Sequence, residues 1–100
     1  MYGTIARMQL KPGALDAMMA FGREQPPPPG DGVMLVFQMD NNPDELYLIV
    51  AAESEEAYRA VANSPEQHQR FLQMMELLVA EPDWHDGRVV AAQTPALNIE

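Results

Sequence analysis

Two stretches of this chain are apolar at consecutive positions rather than at alternate ones. Residues 33–37 read Val-Met-Leu-Val-Phe, and residues 46–52 read Leu-Tyr-Leu-Ile-Val-Ala-Ala. An antiparallel strand with one face in water alternates apolar and polar residues, so runs of this kind ask for cover on both sides of a sheet. The helical segments available in 100 residues suffice for one side only. A second copy of the chain is the simplest cover for the other, and the sequence therefore predicts a homodimer. A domain this small buries only roughly 60–70% of its unfolded surface when it folds alone, which makes a partner a real gain in stability.

Composition narrows the function classes. Hydrophobic residues make up 47% of the chain, well within the globular range. Cysteine is absent, so there is no disulfide frame, no thiolate metal site and no cysteine nucleophile. The net charge is −9, and the six cations (Lys11 and the arginines at 7, 23, 59, 70 and 88) are scattered. Nucleic acids and anionic membrane surfaces need clustered cations, so neither is an expected partner. The start Met1-Tyr2-Gly3-Thr4 does not resemble a signal peptide, and no apolar run approaches a membrane span. A cytoplasmic protein is expected.

The periodicity changes several times along the chain. Tyr2 to Leu10 reads as a strand that Pro12-Gly13 stops. Leu15, Met18, Met19 and Gly22 then recur at helical spacing to about Glu24. The run Pro26-Pro27-Pro28-Pro29 reads as a stiff extended connector. Val33–Asp40 and Leu46–Glu53 read as strands joined through the turn residues Asn41-Asn42-Pro43-Asp44. Ser54 caps a helix with Glu55 and Glu56 in its first turn, running to about Asn63. Ser64-Pro65-Glu66-Gln67 is a capping box that opens another, carrying Phe71, Leu72, Met75, Leu78 and Val79 up to Pro82. Arg88 to Ala92 is the expected last strand. Residues 1–92 thus form one domain, with 93–100 as a tail or a partner-exchanged arm. The order β-α-β-β-α(α)-β predicts an α+β ferredoxin-like fold, a four-stranded antiparallel sheet with its helices on one face. Two such sheets packed face to face would form a dimeric α+β barrel.

Four segments carry a family likeness: Arg7-Met8-Gln9-Leu10-Lys11-Pro12-Gly13, Glu53-Ser54-Glu55-Glu56-Ala57-Tyr58, Asn63-Ser64-Pro65-Glu66-Gln67-His68 and Glu81-Pro82-Asp83-Trp84-His85-Asp86-Gly87. In order and spacing, over residues 2 to about 91, the chain resembles the antibiotic biosynthesis monooxygenase-like family of dimeric α+β barrel proteins. The resemblance implies a pocket between helices and sheet in each subunit. It also implies oxygenation of polycyclic phenolic compounds with neither metal nor flavin, so no cofactor is expected. Other relatives degrade haem, using an Asn, a Trp and a His whose positions here are Ala6, Val61 and Phe71. All three are lost, which disfavours that activity. An aromatic often found at the end of the third strand is Ala52 here, which would enlarge the pocket.

On this reading Ala6, Met8, Phe71, Met75 and Trp84 line the pocket, and His68 is the catalytic base. His68 lies in line with Phe71, Leu72 and Met75, which would turn it toward the apolar side of its helix. Histidine is the residue type that exchanges a proton near neutrality, as removal of a phenolic proton requires. The plainer alternative is a histidine that bonds locally or packs in the core. Trp84 either walls the pocket or plugs the end of the core. His85 and Asp86, adjacent on an extended segment, should point in opposite directions. Arg7 should face the partner's sheet and pair with an acid across the subunit boundary, and Tyr47 should share that face. Tyr58 falls on the first turn of its helix. The pairs Met18-Met19 and Met74-Met75 should fill the gap between helices and sheet.

Other chemistries find no support. Gly30-Asp31-Gly32 precedes a strand and so cannot cradle a phosphate at a helix start. The two serines, Ser54 and Ser64, are both helix caps. Two histidines 17 positions apart without cysteine do not suggest a metal site. The leading reading is a cofactor-independent monooxygenase-like protein acting on a small apolar aromatic metabolite. It requires a pocket of roughly 300 Å³ or more with His68 reaching into it. The alternative is a non-catalytic dimer that binds a small apolar ligand or serves as a structural module.

Overall fold

Each change of period in the sequence becomes a change of element in the computed structural model, which describes residues 1–26, 30 and 32–93. The elements are β1 (Tyr2–Gln9), α1 (Leu15–Arg23), β2 (Val33–Met39), β3 (Asn42–Ala52), α2 (Glu55–Ala62), α3 (Pro65–Met75) and β4 (Asp83–Arg88). The strands form one antiparallel sheet in the order β2-β3-β1-β4. With α1 after the first strand and α2 and α3 before the last, this is the α+β ferredoxin-like arrangement. Most of the Pro26–Pro29 connector and all but the first residue of the 93–100 tail lie outside the described residues.

Local chemistry accounts for the helix starts. The Ser54 hydroxyl accepts the Ala57 N–H and the Ser64 hydroxyl accepts the Gln67 N–H, each at 3.1 Å, with Pro65 beginning α3. Caps of this kind contribute about 1 kcal/mol each. Gly13 adopts φ +79°, which a side chain disfavours, and so turns the chain from β1 into α1.

The register assigns every strand residue to a face. Ala6 stands opposite Leu48 and Trp84, and Met8 opposite Leu46, all on the helix side. There Met8, Leu10, Met18, Leu46 and Leu78 form the core, with Met19, Met74 and Met75 packed around it. The other face is open. It carries Leu35, Ile49, Ile5 and His85 in one row across the sheet, and Phe37, Tyr47, Arg7 and Asp83 in the next. Ile5 is 48% exposed and Phe37 49%. The helices also stop short of the edge strand: Met34 and Val36, on their side of β2, are exposed too.

Four expectations need correction. The β2–β3 hairpin turns at Asp40-Asn41, and residues 42–44, expected in the turn, belong to β3. An irregular register between Gln38 and Met39 absorbs the mismatch. α3 ends at Met75 rather than at Pro82. Leu78 is drawn into the core and bridges Leu10, with Lys11 N–H donating to Leu77 O and Val79 N–H to Gln9 O. The last strand is Asp83–Arg88 and not Arg88–Ala92. Pairing of Asp83 with Arg7 through Arg88 with Tyr2 brings β4 to the N-terminal end of β1. Beyond Arg88 the Val89 N–H still donates to Met1 O, and Val90 is left 91% exposed. Finally, Arg7 meets its acid within the chain: its Nε donates to Glu45 on the adjacent strand.

Candidate functional site

The helix side of β1 and β4 gathers most of the residues expected to form a site. Ala6 has no exposed surface, and its partner Trp84 projects beside it. The Trp84 ring lies 6.4 Å from that of Phe71 on α3, tilted by 43°. That spacing is normal for interacting aromatic rings. Met8 lies deeper, in the core cluster against which Met75 packs. Trp84 is 41% exposed, so it does not plug the core. It forms, with Phe71, an angled apolar wall that solvent reaches.

His68 stands apart from the buried layer. Its position on α3 falls on the exposed flank, one turn before Phe71 and Leu72. Among the described residues its imidazole has no hydrogen-bond or ion-pair partner; its backbone N–H donates to Ser64 O. The expected turn toward the apolar side does not occur, because the half-buried stripe of α3 passes through Gln67, Arg70, Phe71, Met74 and Met75. His85 and Asp86 diverge as strand geometry requires: His85 contacts Asp83 at 3.2 Å on the open face, and Asp86 points to the helices.

Sequence reasoning missed the polar corner that Asp86 joins. The Tyr58 hydroxyl donates to Asp86 Oδ1 at 3.2 Å. Arg59 donates to the Tyr2 hydroxyl at 2.9 Å, lies over both tyrosine rings and approaches Asp86 at 3.7 Å. Thr4, opposite Asp86, is only 5% exposed, and its hydroxyl makes no protein hydrogen bond of normal length and angle. The available signal was parity: Tyr2, Thr4, Asp86 and Arg88 share the helix side with Ala6 and Trp84 once β4 is correctly placed.

Burial pushes the Tyr58 phenol above its ordinary pKa of 10.0, and the Asp86 charge adds to the rise; Thr4 and Arg59 oppose it. The folded chain therefore holds this proton beyond the pH at which an unfolded tyrosine loses it. Stability linked to Tyr58 is fully present below pH 10 and is lost as pH rises through the folded value. Alkaline unfolding, followed by circular dichroism, should show a shallower loss of stability above pH 10 in Tyr58→Phe than in the parent.

Two clefts flank the Gly3 end of the sheet. One, of about 240 Å³, lies over Gly3 and Gly87 between Ile5, Ile49 and His85 on the open face. Gly3 is required there, since a Cβ would stand 1.7 Å from Val50 O. The other, of about 350 Å³, lies among Met1, Tyr2, Ser54, Glu55 and Arg88. Neither contains His68 or the aromatic pair.

No family model matches the chain, and no curated protein does. Solved structures do. A candidate antibiotic biosynthesis monooxygenase from Chloroflexus aurantiacus superposes with a TM-score of 0.74 at 26% identity, over 92% of this chain and 95% of that one. The chain shares its fold with antibiotic biosynthesis monooxygenase-like proteins. A second candidate monooxygenase of that name, from Nitrosomonas europaea, matches with a TM-score of 0.72 at 14% identity, covering 91% of this chain and 100% of its own. A protein of unknown function from the same organism gives 0.69 at 22% identity, over 95% and 94% of the two chains. At those identities the fold is what is shared, and one fold hosts many functions. No described helix is long and apolar enough to cross a membrane.

Proposed function

We propose that the protein is a homodimer that binds a small, flat aromatic metabolite against Phe71 and Trp84 and oxygenates it without a cofactor. The observation that carries this reading is the accessible aromatic pair Phe71 and Trp84, which packs over the buried side chains of Ala6 and Met8. Aromatic and methionine surfaces suit a planar apolar ligand and adapt to its outline. The names of the similar structures point the same way.

His68, on the exposed flank of α3 one turn before Phe71, serves as the base. Removing a proton from a phenol or an anthrone leaves an anion rich enough in electrons to reduce dioxygen directly. One oxygen atom then enters the ring carbon and the other leaves as water, with the substrate supplying the electrons. The exposure of His68 favours a second reading, in which the wall binds its ligand and no reaction follows.

Oxygen uptake with anthrone separates the two. Catalysis through His68 predicts measurable uptake that falls at least about 100-fold in His68→Ala, the range typical of a positioned base. Uptake that is absent, or unchanged by the substitution, assigns the protein to the binding class.

A further inference from the structure

We propose that the open face of the sheet is a proton-regulated interface, on which uptake of a proton by His85 tightens the binding of a second copy of the chain. The inference rests on the homodimer reading and names what regulates that contact. His85 stands in one row with Leu35, Ile49 and Ile5, so a copy that covers this apolar row also covers the imidazole. The other ionisable groups that the paired strands place on this face are Arg7 on β1, Glu45 and Tyr47 on β3, and Asp83 on β4; β2 contributes none. Arg88, on the helix side of β4, lines the same cleft as His85. A second copy presents this same set.

Charge on the face does not balance without His85. The Arg7 guanidinium donates through Nε to Glu45 and stands across from Asp83, so one cation serves two carboxylates. The imidazole is the group that can make up the difference, with its Nε2 3.2 Å from Asp83 Oδ2. While His85 is neutral the face carries one excess negative charge; once it is protonated the face holds two complete pairs. In a single subunit the difference is small, because Asp83 and His85 are both exposed and water screens them. Stacking two such faces removes that water and buries an uncompensated carboxylate from each copy. An unpaired buried charge is far costlier than a paired one. Association therefore favours the protonated imidazole, and by linkage a lower pH favours association. Histidine exchanges its proton between about pH 5 and 8. The gain is present on the acid side of that window and is lost as pH rises through it.

Sedimentation equilibrium of the intact chain at about pH 6 and about pH 8, at one ionic strength, reads the dimer dissociation constant on either side of histidine titration. The constant should be at least about tenfold smaller at the lower pH. His85→Gln should remove the pH dependence and leave the dimer at its weaker affinity. Asp83→Asn should tighten the dimer at the higher pH and abolish the gain on acidification. Both side chains are exposed in the single subunit, so circular dichroism should show the two variants folded as the parent is. A dimer of equal affinity at both pH values, one that weakens at the lower pH, or a pH dependence that survives His85→Gln overturns the proton switch and leaves the homodimer standing. A chain that stays monomeric at both pH values removes the homodimer, and the switch falls with it.

Discussion

Ile5→Asp is expected to run as a folded monomer in sedimentation, at concentrations where the proposed homodimer of the parent chain would form. Ile5 lies at mid-sheet on the open face, opposite Ile49 on β3 and His85 on β4. In a single subunit its side chain is already 48% exposed, so a carboxylate there stays hydrated and folding changes little. Covering the face with a second copy would bury that carboxylate twice, once from each subunit. An unpaired buried charge costs several kcal/mol, and each 1.4 kcal/mol is a factor of ten in affinity. The dimer dissociation constant should therefore rise by at least about 10³. A dimer that survives the substitution would exclude this face as the interface, and a monomeric parent would remove the dimer altogether.

Leu46→Ala should produce the largest loss of folding stability among single truncations in this chain. Leu46 is 1% exposed, the largest fully buried side chain among the described residues. It joins β3 to Met8 on β1 and Met18 on α1 within the core. Truncating a buried leucine removes its transfer free energy and leaves a cavity, together about 2–5 kcal/mol. A domain of this size is stabilised by only about 5–15 kcal/mol. Urea unfolding should show the midpoint falling accordingly with the slope unchanged. A loss below about 1 kcal/mol would mean that Met8 and Met18 collapse into the space, which methionine is well suited to do.

The residues that made the fold legible were those whose chemistry acts locally. Ser54, Ser64 and Pro65 determine where α2 and α3 begin. The consecutive apolar runs mark β2 and β3, and the helical spacing from Leu15 to Gly22 marks α1. The failures came where tertiary contacts outweighed local preference. Val89-Val90-Ala91-Ala92 is a better strand sequence than Asp83-Trp84-His85-Asp86-Gly87-Arg88, yet the latter pairs with β1. β-propensity mostly reports fit to neighbours, and here the neighbour is already determined. Once Leu78 is buried against Leu10, the chain reaches β1 too early for residues 89–92 to pair with that strand.

The same displacement decided the site. Moving the strand upstream put Trp84 on a pleated face beside Phe71, where a strand at 88–92 would have left it in a connection. It also brought Asp86 to Tyr58, a pair 28 residues apart that no spacing rule connects. His68 shows the opposite limit, for a helical position three residues from Phe71 can lie on either flank of the buried stripe. Only the docking angle of α3 decides which.

From its sequence alone this chain determined an α+β ferredoxin-like sheet with an apolar second face, because hydrophobic period and capping residues act over a few neighbours. Tertiary structure alone decided which six residues close the sheet, that Arg7 meets Glu45 within its own chain, and that a polar corner adjoins the aromatic wall. Those outcomes depend on register between strands distant in sequence, where a shift of one residue exchanges every side chain between the two faces.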